Sequence, residues 1–260
     1  PVCDEFIIVH GDSDDDTGKL LESINSSKIK IFDTVWDPAL REGGLILSQQ
    51  TNIALSKTTG DWCFYIQADE VIHEKYLPEI KKAMEIYLDD KNVEGFLFKY
   101  RHFYGSFDYV AISRQWYRHE IRVIRNKIAV ESFKDAQGFR INNRKLNVKP
   151  LDAHVFHYGW VRPPKTMQKK VKYFHSLWHS DKWIEKQVGQ ENEYDYSHMD
   201  SLEPFKETHP EVMLERVNNS AYKFDYTPVK IKKGFKRILL DLFEKKTGIR
   251  LGEYKNYKVI

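Results

Sequence analysis

The chain has 260 residues, of which 41% are hydrophobic, so it can bury a sizeable core in one domain or two. Its formal net charge of only +3 gives no reason to expect nucleic acid as a partner. No apolar run approaches the ~18 residues that span a membrane. Two cysteines, Cys3 and Cys63, are too few for a disulfide framework and favour a reducing, cytoplasmic setting.

The N-terminal part of the chain, residues 1–92, alternates between strand-like and helical patterns. Short apolar runs at 5–10, 28–35 and 62–66 predict strands, and a helical period follows over 73–87. Strands that alternate with helices are typical of right-handed βαβ units, which build a parallel sheet. The sequence therefore predicts an α/β fold for this part.

Residues 93–160 are rich in strand patterns, and we interpret them as the second half of the same domain. Asn142-Asn143 interrupts the last of these patterns and is typical of a tight hairpin turn. We predict strands at 95–103, 120–125 and 140–148.

Residues 161–260 are predicted to form a helical C-terminal extension, with helices at 163–179, 181–187 and 232–246. The last helix is amphipathic and basic. It could rest on anionic lipid or pack as an ordinary terminal helix. Its apolar positions are Phe235, Ile238, Leu239, Leu242 and Phe243, and its basic residues include Lys230, Lys232, Lys233, Lys236 and Arg237.

Two carboxylates, Asp69 and Glu70, follow the apolar run at 62–66. Open α/β sheets bind their ligands in the crevice at the carboxyl ends of strands. A metal ion could therefore be held here. The alternative is that both side chains cap the next helix or lie in solvent, as short acidic pairs often do.

The segment 12–17 forms an acidic turn between the first strand and a helix. Alternating aspartates suggest a calcium loop, but Thr17 stands where that loop requires glycine and Ser23 where it requires glutamate. Two other interpretations remain open, and both can hold at once. Asp15 or Asp16 caps the following helix, or the turn contacts a nucleotide.

An aromatic and basic segment occupies residues 116–125. Its rings could stack on a sugar and its arginines could bind phosphate, although alternating arginines on a strand also fit a solvated face. Glycine-rich phosphate loops that end in Lys-Ser/Thr are absent from the sequence, and so are nucleophile elbows. These absences argue against kinases, ATPases and serine hydrolases.

Residues 60–70 resemble the region of the family 2 glycosyltransferases in which a Gly-Asp turn and an apolar strand lead into a DxD motif. Gln67 stands at the first position of that motif and Asp69 at the third. The strand and acidic turn upstream follow the family's order, with His10-Gly11 in place of an Asp pair. The family's first strand and helix have no counterpart here, which we interpret as an N-terminal truncation.

The resemblance implies a doubly wound, glycosyltransferase A-type fold with a mixed sheet. It also implies inverting transfer from a nucleotide-sugar donor to a glycan or lipid-linked glycan, assisted by Mg²⁺ or Mn²⁺, in surface polysaccharide or glycoconjugate synthesis. The implied metal ligands are Asp69, Glu70 and His157, and the implied acceptor bases are Asp135 and Glu131. The implied donor contacts are His10, Asp12, Asp15, Asn52 and Gln67.

Two other functions fit the same patterns. A nucleotidyltransferase also uses a metal-bound carboxylate in a doubly wound domain, and it would release pyrophosphate. A non-catalytic protein could instead use the aromatic, basic C-terminal half to bind glycans, membranes or nucleic acid.

Overall fold

The computed structural model describes residues 2–11, 13, 15–40, 42–188, 191–199, 201–222, 224, 226 and 234–260. It is a mixed α/β structure with a multi-stranded sheet and packed helices, as the sequence predicts. Asp12, a predicted donor contact, lies outside the described residues, as do Lys230, Lys232 and Lys233.

The first part of the chain alternates strands and helices. Its elements are β1 (Phe6–Gly11), α1 (Thr17–Ser23), β2 (Ile29–Thr34), α2 (Leu45–Ser56), β3 (Trp62–Phe64), β4 (Glu70–Ile72) and α3 (Leu77–Ile86). β1 and β2 pair in parallel, with Phe6 opposite Ile29. This pairing is the one predicted for a strand–helix–strand unit.

Strands dominate the middle of the chain and helices the end. The strands are β5 (Gly95–Tyr104), β6 (Tyr109–Ala111), β7 (His119–Arg125), β8 (Val130–Phe133), β9 (Gly138–Ile141), β10 (Arg144–Lys145) and β11 (Asn147–Trp160). The last elements are α4 (Pro164–Ser176), α5 (Asp181–Gln187), β12 (Leu202–Pro204), α6 (Glu211–Asn218), α7 (Phe235–Thr247) and β13 (Lys258–Val259).

The larger sheet is mixed. β5 and β11 pair in parallel at its centre, with His102 opposite His157. β7 joins β5 antiparallel, β3 joins β7, and β4 joins β11. The parallel-sheet prediction is therefore right for β1 and β2, whereas β3 departs from it because its described partner is the antiparallel β7. The connection from β3 to β4, which carries Asp69, must cross from one side of the β5–β11 pair to the other.

A buried apolar cluster fixes the sheet under this connection. Ile80 of α3 packs with Phe96, Phe98 and Val123, and all four side chains are fully buried. Trp62 of β3 adds a ring whose centroid lies 5.0 Å from that of Phe96. Because fully buried side chains of this size contribute about 1.5–3 kcal/mol each, the connection begins on a rigid support.

The predicted asparagine hairpin is confirmed. Asn142 and Asn143 join β9 to β10 with φ values of 49° and 64°. Two successive residues of positive φ are the mark of a type I′ turn, and asparagine tolerates this conformation better than most residues.

The helix predicted over 73–87 begins later than expected. Residues 70–72 form β4, and a short 3-10 turn over Glu74–Tyr76 precedes α3. A three-residue strand is too short to give a periodic signal, so the sequence did not reveal it. α4, α5 and α7 confirm the three predicted C-terminal helices to within a few residues, whereas α6 was not predicted.

Within the described ranges, none of the helices is both long enough and apolar enough to cross a membrane.

Candidate functional site

Asp69 lies where the connection from β3 meets β11 and α4. Its backbone carbonyl accepts a hydrogen bond of 2.8 Å from the Tyr158 amide. Its carboxylate Oδ2 accepts a hydrogen bond of 2.9 Å from Lys170 Nζ and lies 3.6 Å from His157 Nε2. Lys170 also donates to the Gly159 carbonyl at 2.8 Å. We call Asp69, His157, Gly159 and Lys170 the Asp69 cluster.

The carboxylate of Asp69 is ionised at neutral pH. Burial alone would raise its pKa, but the neighbouring His157 and Lys170 outweigh burial and hold the pKa well below its usual range. The Asp69 and Lys170 side chains remain partly exposed. An accessible carboxylate beside an ammonium group can attract both a divalent cation and a phosphate oxygen.

His157 of the Asp69 cluster is in contact with a second histidine, His102. His102 Nε2 lies 2.8 Å from the Tyr117 carbonyl oxygen, which can only accept, so His102 carries its proton on Nε2. Burial, with a contribution from His157, lowers the pKa of His102 to about 3. His102 therefore stays neutral, and His157 Nδ1 must donate to its Nδ1 across 3.1 Å. His157 Nε2, on the other side of the ring, lies 3.6 Å from Asp69 Oδ2.

Glu70, a predicted metal ligand, forms a buried ion pair. Arg122 donates to it through Nε at 2.9 Å and through a terminal nitrogen at 2.7 Å, and the Tyr100 hydroxyl donates at 2.7 Å. Both side chains of the ion pair are almost wholly buried. We therefore reassign Glu70 from the metal to a structural role, in which it braces β4 against β7 and β5.

Gln67 and Asn52, two predicted donor contacts, also make internal hydrogen bonds. Gln67 Nε2 donates to the Tyr65 hydroxyl at 3.1 Å. Asn52 Oδ1 accepts from the Ser132 amide at 2.8 Å and so joins α2 to β8. In this structure Asn52 positions the hairpin that carries the predicted bases.

The two predicted bases differ in their surroundings. Glu131 lies exposed on β8, whereas Asp135 lies in the turn between β8 and β9 beside Gly44 and Trp178. Asp135 Oδ1 and Trp178 Nε1 are both buried without a hydrogen-bond partner among the described residues. Burial raises the pKa of Asp135. Since buried polar atoms are almost always paired, these two indicate a place for a water or ligand atom.

Glu120, on β7, is a second carboxyl with a raised pKa, and sequence reasoning missed it. Burial raises its pKa to about 8; Arg122 opposes this shift, and Glu70 and Asp135 add to it. Its Oε2 has no partner among the described residues. The only signal in the sequence was its place in the aromatic and basic segment, which pointed to the arginines instead.

Replacing Glu120 with glutamine should make the protein more stable at pH 8 than the wild type. The unfolded carboxyl ionises above about pH 4.5 and the folded one only above about pH 8, so rising pH favours the unfolded wild-type chain across this interval. At pH 8 we expect the free energy of unfolding of the variant to exceed that of the wild type by at least about 1 kcal/mol. At pH 4.5 the two should differ little. Urea unfolding at both pH values measures this.

Glu85→Gln is the matched control, because Glu85 lies on the surface of α3 in a weak pair with Lys81. It should give no pH-dependent difference. An equal effect of Glu120→Gln at both pH values would contradict a raised pKa at Glu120.

The end of β1 carries two more predicted donor contacts. His10 Nδ1 lies 3.4 Å from Asp33 Oδ1, while His10 Nε2 and the neighbouring Trp36 Nε1 are buried without partners among the described residues. Asp15 Oδ1 accepts from the Thr17 amide at 2.9 Å, whereas Asp16, the N-cap residue of α1, makes no side-chain capping hydrogen bond.

The arginines of the aromatic and basic segment are bound to protein groups. Arg122 pairs with Glu70, and Arg118 forms a two-point contact with Glu253. Arg125 donates to four backbone carbonyls, those of residues 87, 88, 90 and 93. These arginines therefore act as structural braces. The cation that contacts Asp69 is Lys170, which the sequence did not single out.

No model of a known protein family matches the chain, and no curated protein is significantly similar to it in sequence. Across the described ranges, groups of three or more His, Cys, Asp or Glu side chains suited to a metal ion are absent.

Proposed function

We propose that the protein is a glycosyltransferase that moves a sugar from a nucleoside-diphosphate donor to an acceptor hydroxyl, with inversion. The observation that carries the proposal is the Asp69 cluster, in which an ionised carboxylate, an ammonium group and a histidine nitrogen converge at the end of β11. A leaving diphosphate needs fixed charges of this kind. The resemblance of residues 60–70 to the family 2 enzymes supports the same reaction and a glycosyltransferase A-type fold.

We propose that Mg²⁺ or Mn²⁺ would be held by two protein ligands, Asp69 Oδ2 and His157 Nε2, which face each other across 3.6 Å. Carboxylate oxygen suits both ions, and imidazole nitrogen is also a ligand for transition metals. Glu70 is already bonded to Arg122 and Tyr100 and adds no third ligand. When bound, the ion would act as a Lewis acid that neutralises charge on the diphosphate.

Lys170 supplies a positive charge from the protein itself, in addition to that of any bound ion. Its ammonium group has three N–H donors, and the described contacts use two of them, to Asp69 and Gly159. The two hydrogen bonds fix the direction of the third N–H, which can bind a phosphate oxygen. Because lysine is a compact point charge on a flexible stem, Lys170 can follow the phosphate as charge develops on it.

Asp135 is the residue that we assign as acceptor base. The acceptor O–H gives its proton to the Asp135 carboxylate, and the oxygen forms the new bond to the anomeric carbon. The bond from that carbon to the phosphate oxygen breaks, and its electron pair leaves on the nucleoside diphosphate. Attack from the side opposite the leaving group inverts the configuration. The raised pKa of Asp135 makes it a stronger base than an ordinary aspartate.

Incubation with UDP-, GDP- and dTDP-sugars tests the proposal, with released nucleoside diphosphate, pyrophosphate and free sugar measured separately. A glycosyltransferase releases the nucleoside diphosphate, and faster when a glycan acceptor is added. Release of pyrophosphate from a nucleoside triphosphate and a sugar phosphate would instead identify a nucleotidyltransferase. Turnover by neither route would contradict both of these activities.

Replacing Gly159 with alanine should weaken nucleoside-diphosphate binding at least about tenfold. The new Cβ would lie 2.7 Å from His157 Nε2 and 2.9 Å from Lys170 Nζ, and closer still to Asp69 Oδ2, so the cluster would have to open. Calorimetric titration with UDP and GDP measures the loss. Gly60→Ala is the control, because a Cβ there meets only the Trp62 carbonyl at 3.5 Å. Undiminished binding by Gly159→Ala would place the diphosphate elsewhere.

A further inference from the structure

The apolar side chains of α7 point away from the parts of the protein that the structure describes. Phe235 is 77% exposed and Leu242 58% exposed, and Ile238, Leu239 and Phe243 are also exposed. At about 100° per residue these five positions form one face roughly 140° wide. A surface helix normally turns such a face inward, so this arrangement is the reverse of ordinary packing.

The opposite, polar face of α7 is the one that meets the protein. Arg237, Leu240, Asp241 and Glu244 are the partly buried residues of the helix. Glu244 binds the guanidinium groups of Arg114 and Arg250. Because ion pairs hold the polar side, the apolar face is presented outward by the fold itself.

The charges around the apolar face are positive. Lys236 and Lys245 flank it on its two sides, and Lys246 lies at its C-terminal end; all three are exposed. The two acidic residues of the helix, Asp241 and Glu244, lie on the protein side, where Asp241 pairs with Arg237 at 3.1 Å. The outward surface therefore combines apolar side chains with lysines and carries no carboxylate on the described helix.

We propose that α7 lies in the headgroup layer of an anionic lipid surface, with its apolar face inserted and its lysines near the lipid phosphates. Helices with a large apolar face and flanking lysines bind in this way, since the lysine stems reach to the headgroups while the apolar side chains enter the acyl boundary. The charge complementarity selects lipid over an apolar protein groove. The proposal is independent of the reaction at Asp69.

Sedimentation of the full chain with lipid vesicles tests this. Vesicles of phosphatidylcholine alone are compared with vesicles that also contain phosphatidylglycerol, at low and high salt. Each lysine near an anionic surface contributes about 1 kcal/mol, so three lysines should favour the anionic vesicles on the order of 100-fold at low salt. Salt should remove most of this preference.

The variant Leu239→Glu/Leu242→Glu should lose at least about tenfold in affinity for the anionic vesicles, since two apolar anchors are replaced by charges that lipid repels. Both positions are exposed, so the fold should be kept, which circular dichroism checks. The control Val212→Glu/Leu214→Glu changes two exposed apolar residues of α6 and should bind as the wild type does.

Two outcomes would overturn the proposal. One is equal binding of the wild type and Leu239→Glu/Leu242→Glu to anionic vesicles, or no binding by either. The other is a wild-type dimer in light scattering that Leu239→Glu/Leu242→Glu converts to a monomer, because the apolar face would then be covered by a second copy of the chain.

Discussion

The Asp69→Asn variant should turn over at least about 100-fold more slowly than the wild type while keeping its fold. Asparagine has nearly the same shape, so it preserves the backbone contact to Tyr158 and can accept one hydrogen bond from Lys170. It removes the negative charge that pairs with Lys170 and that the proposed divalent ion would require. The loss should appear in kcat/KM for sugar transfer, measured by nucleoside-diphosphate release.

Asp152→Asn is the matched control for this change. Asp152 is an exposed carboxylate that pairs with Lys99 at 2.5 Å, so it presents the same two groups in a solvated setting. We expect turnover within about twofold of the wild type, since surface pairs of this kind contribute little. Wild-type turnover by Asp69→Asn would remove Asp69 from the mechanism.

Replacing Arg122 with methionine should lower the free energy of unfolding by about 3–5 kcal/mol, because it leaves the buried Glu70 carboxylate without its partner. The side chains of this pair are 3% and 0% exposed, so water cannot replace the lost interaction. The Tyr100 hydroxyl at 2.7 Å would be the principal remaining donor to Glu70. Urea unfolding by circular dichroism measures the change.

Two further variants distinguish the effect of losing the ion pair from the effect of a general loss of packing. Glu70→Gln/Arg122→Met removes both charges, and we expect it to be less destabilised than Arg122→Met alone, because no buried charge is left unpaired. Lys99→Met breaks the exposed pair with Asp152 and should cost no more than about 1 kcal/mol. Equal stabilities of Arg122→Met and Lys99→Met would show that Glu70 is not held as an ion.

The local features of the fold were predictable because neighbouring residues determine them. The Asn142-Asn143 turn, the parallel pairing of β1 with β2 and the helices α4, α5 and α7 follow from turn chemistry and periodicity. The place of Asp69 after β3 was predicted in the same way. β3 and β4 escaped full prediction because their pairing with β7 and β11 depends on strands distant in sequence.

The partners within the site could not be predicted, since they come from distant parts of the chain. Glu70 meets Arg122 across 52 residues, and Asp69 meets Lys170 across 101. No periodicity or motif spans such separations, so Glu70 was assigned to a metal and Lys170 was overlooked. The perturbed carboxyl of Glu120 depends in the same way on burial by the folded sheet.

The direction in which the apolar face of α7 points could not be predicted from the sequence. An amphipathic pattern states which residues share a face but not which side meets the protein. The direction is decided by Glu244, whose contacts with Arg114 and Arg250 hold the polar side inward. Only tertiary structure reveals such contacts.

The most direct test of the account is calorimetric titration of the wild type, Asp69→Asn and Lys170→Met with UDP and GDP, in Mn²⁺ and in chelator. We predict that the wild type binds at least one nucleotide and that Mn²⁺ tightens binding. Asp69→Asn should lose this Mn²⁺ effect, and Lys170→Met should bind at least about tenfold more weakly in both conditions, since it lacks a charge-assisted hydrogen bond. Failure of the wild type to bind either nucleotide, or identical binding by all three proteins, would contradict a diphosphate site at Asp69.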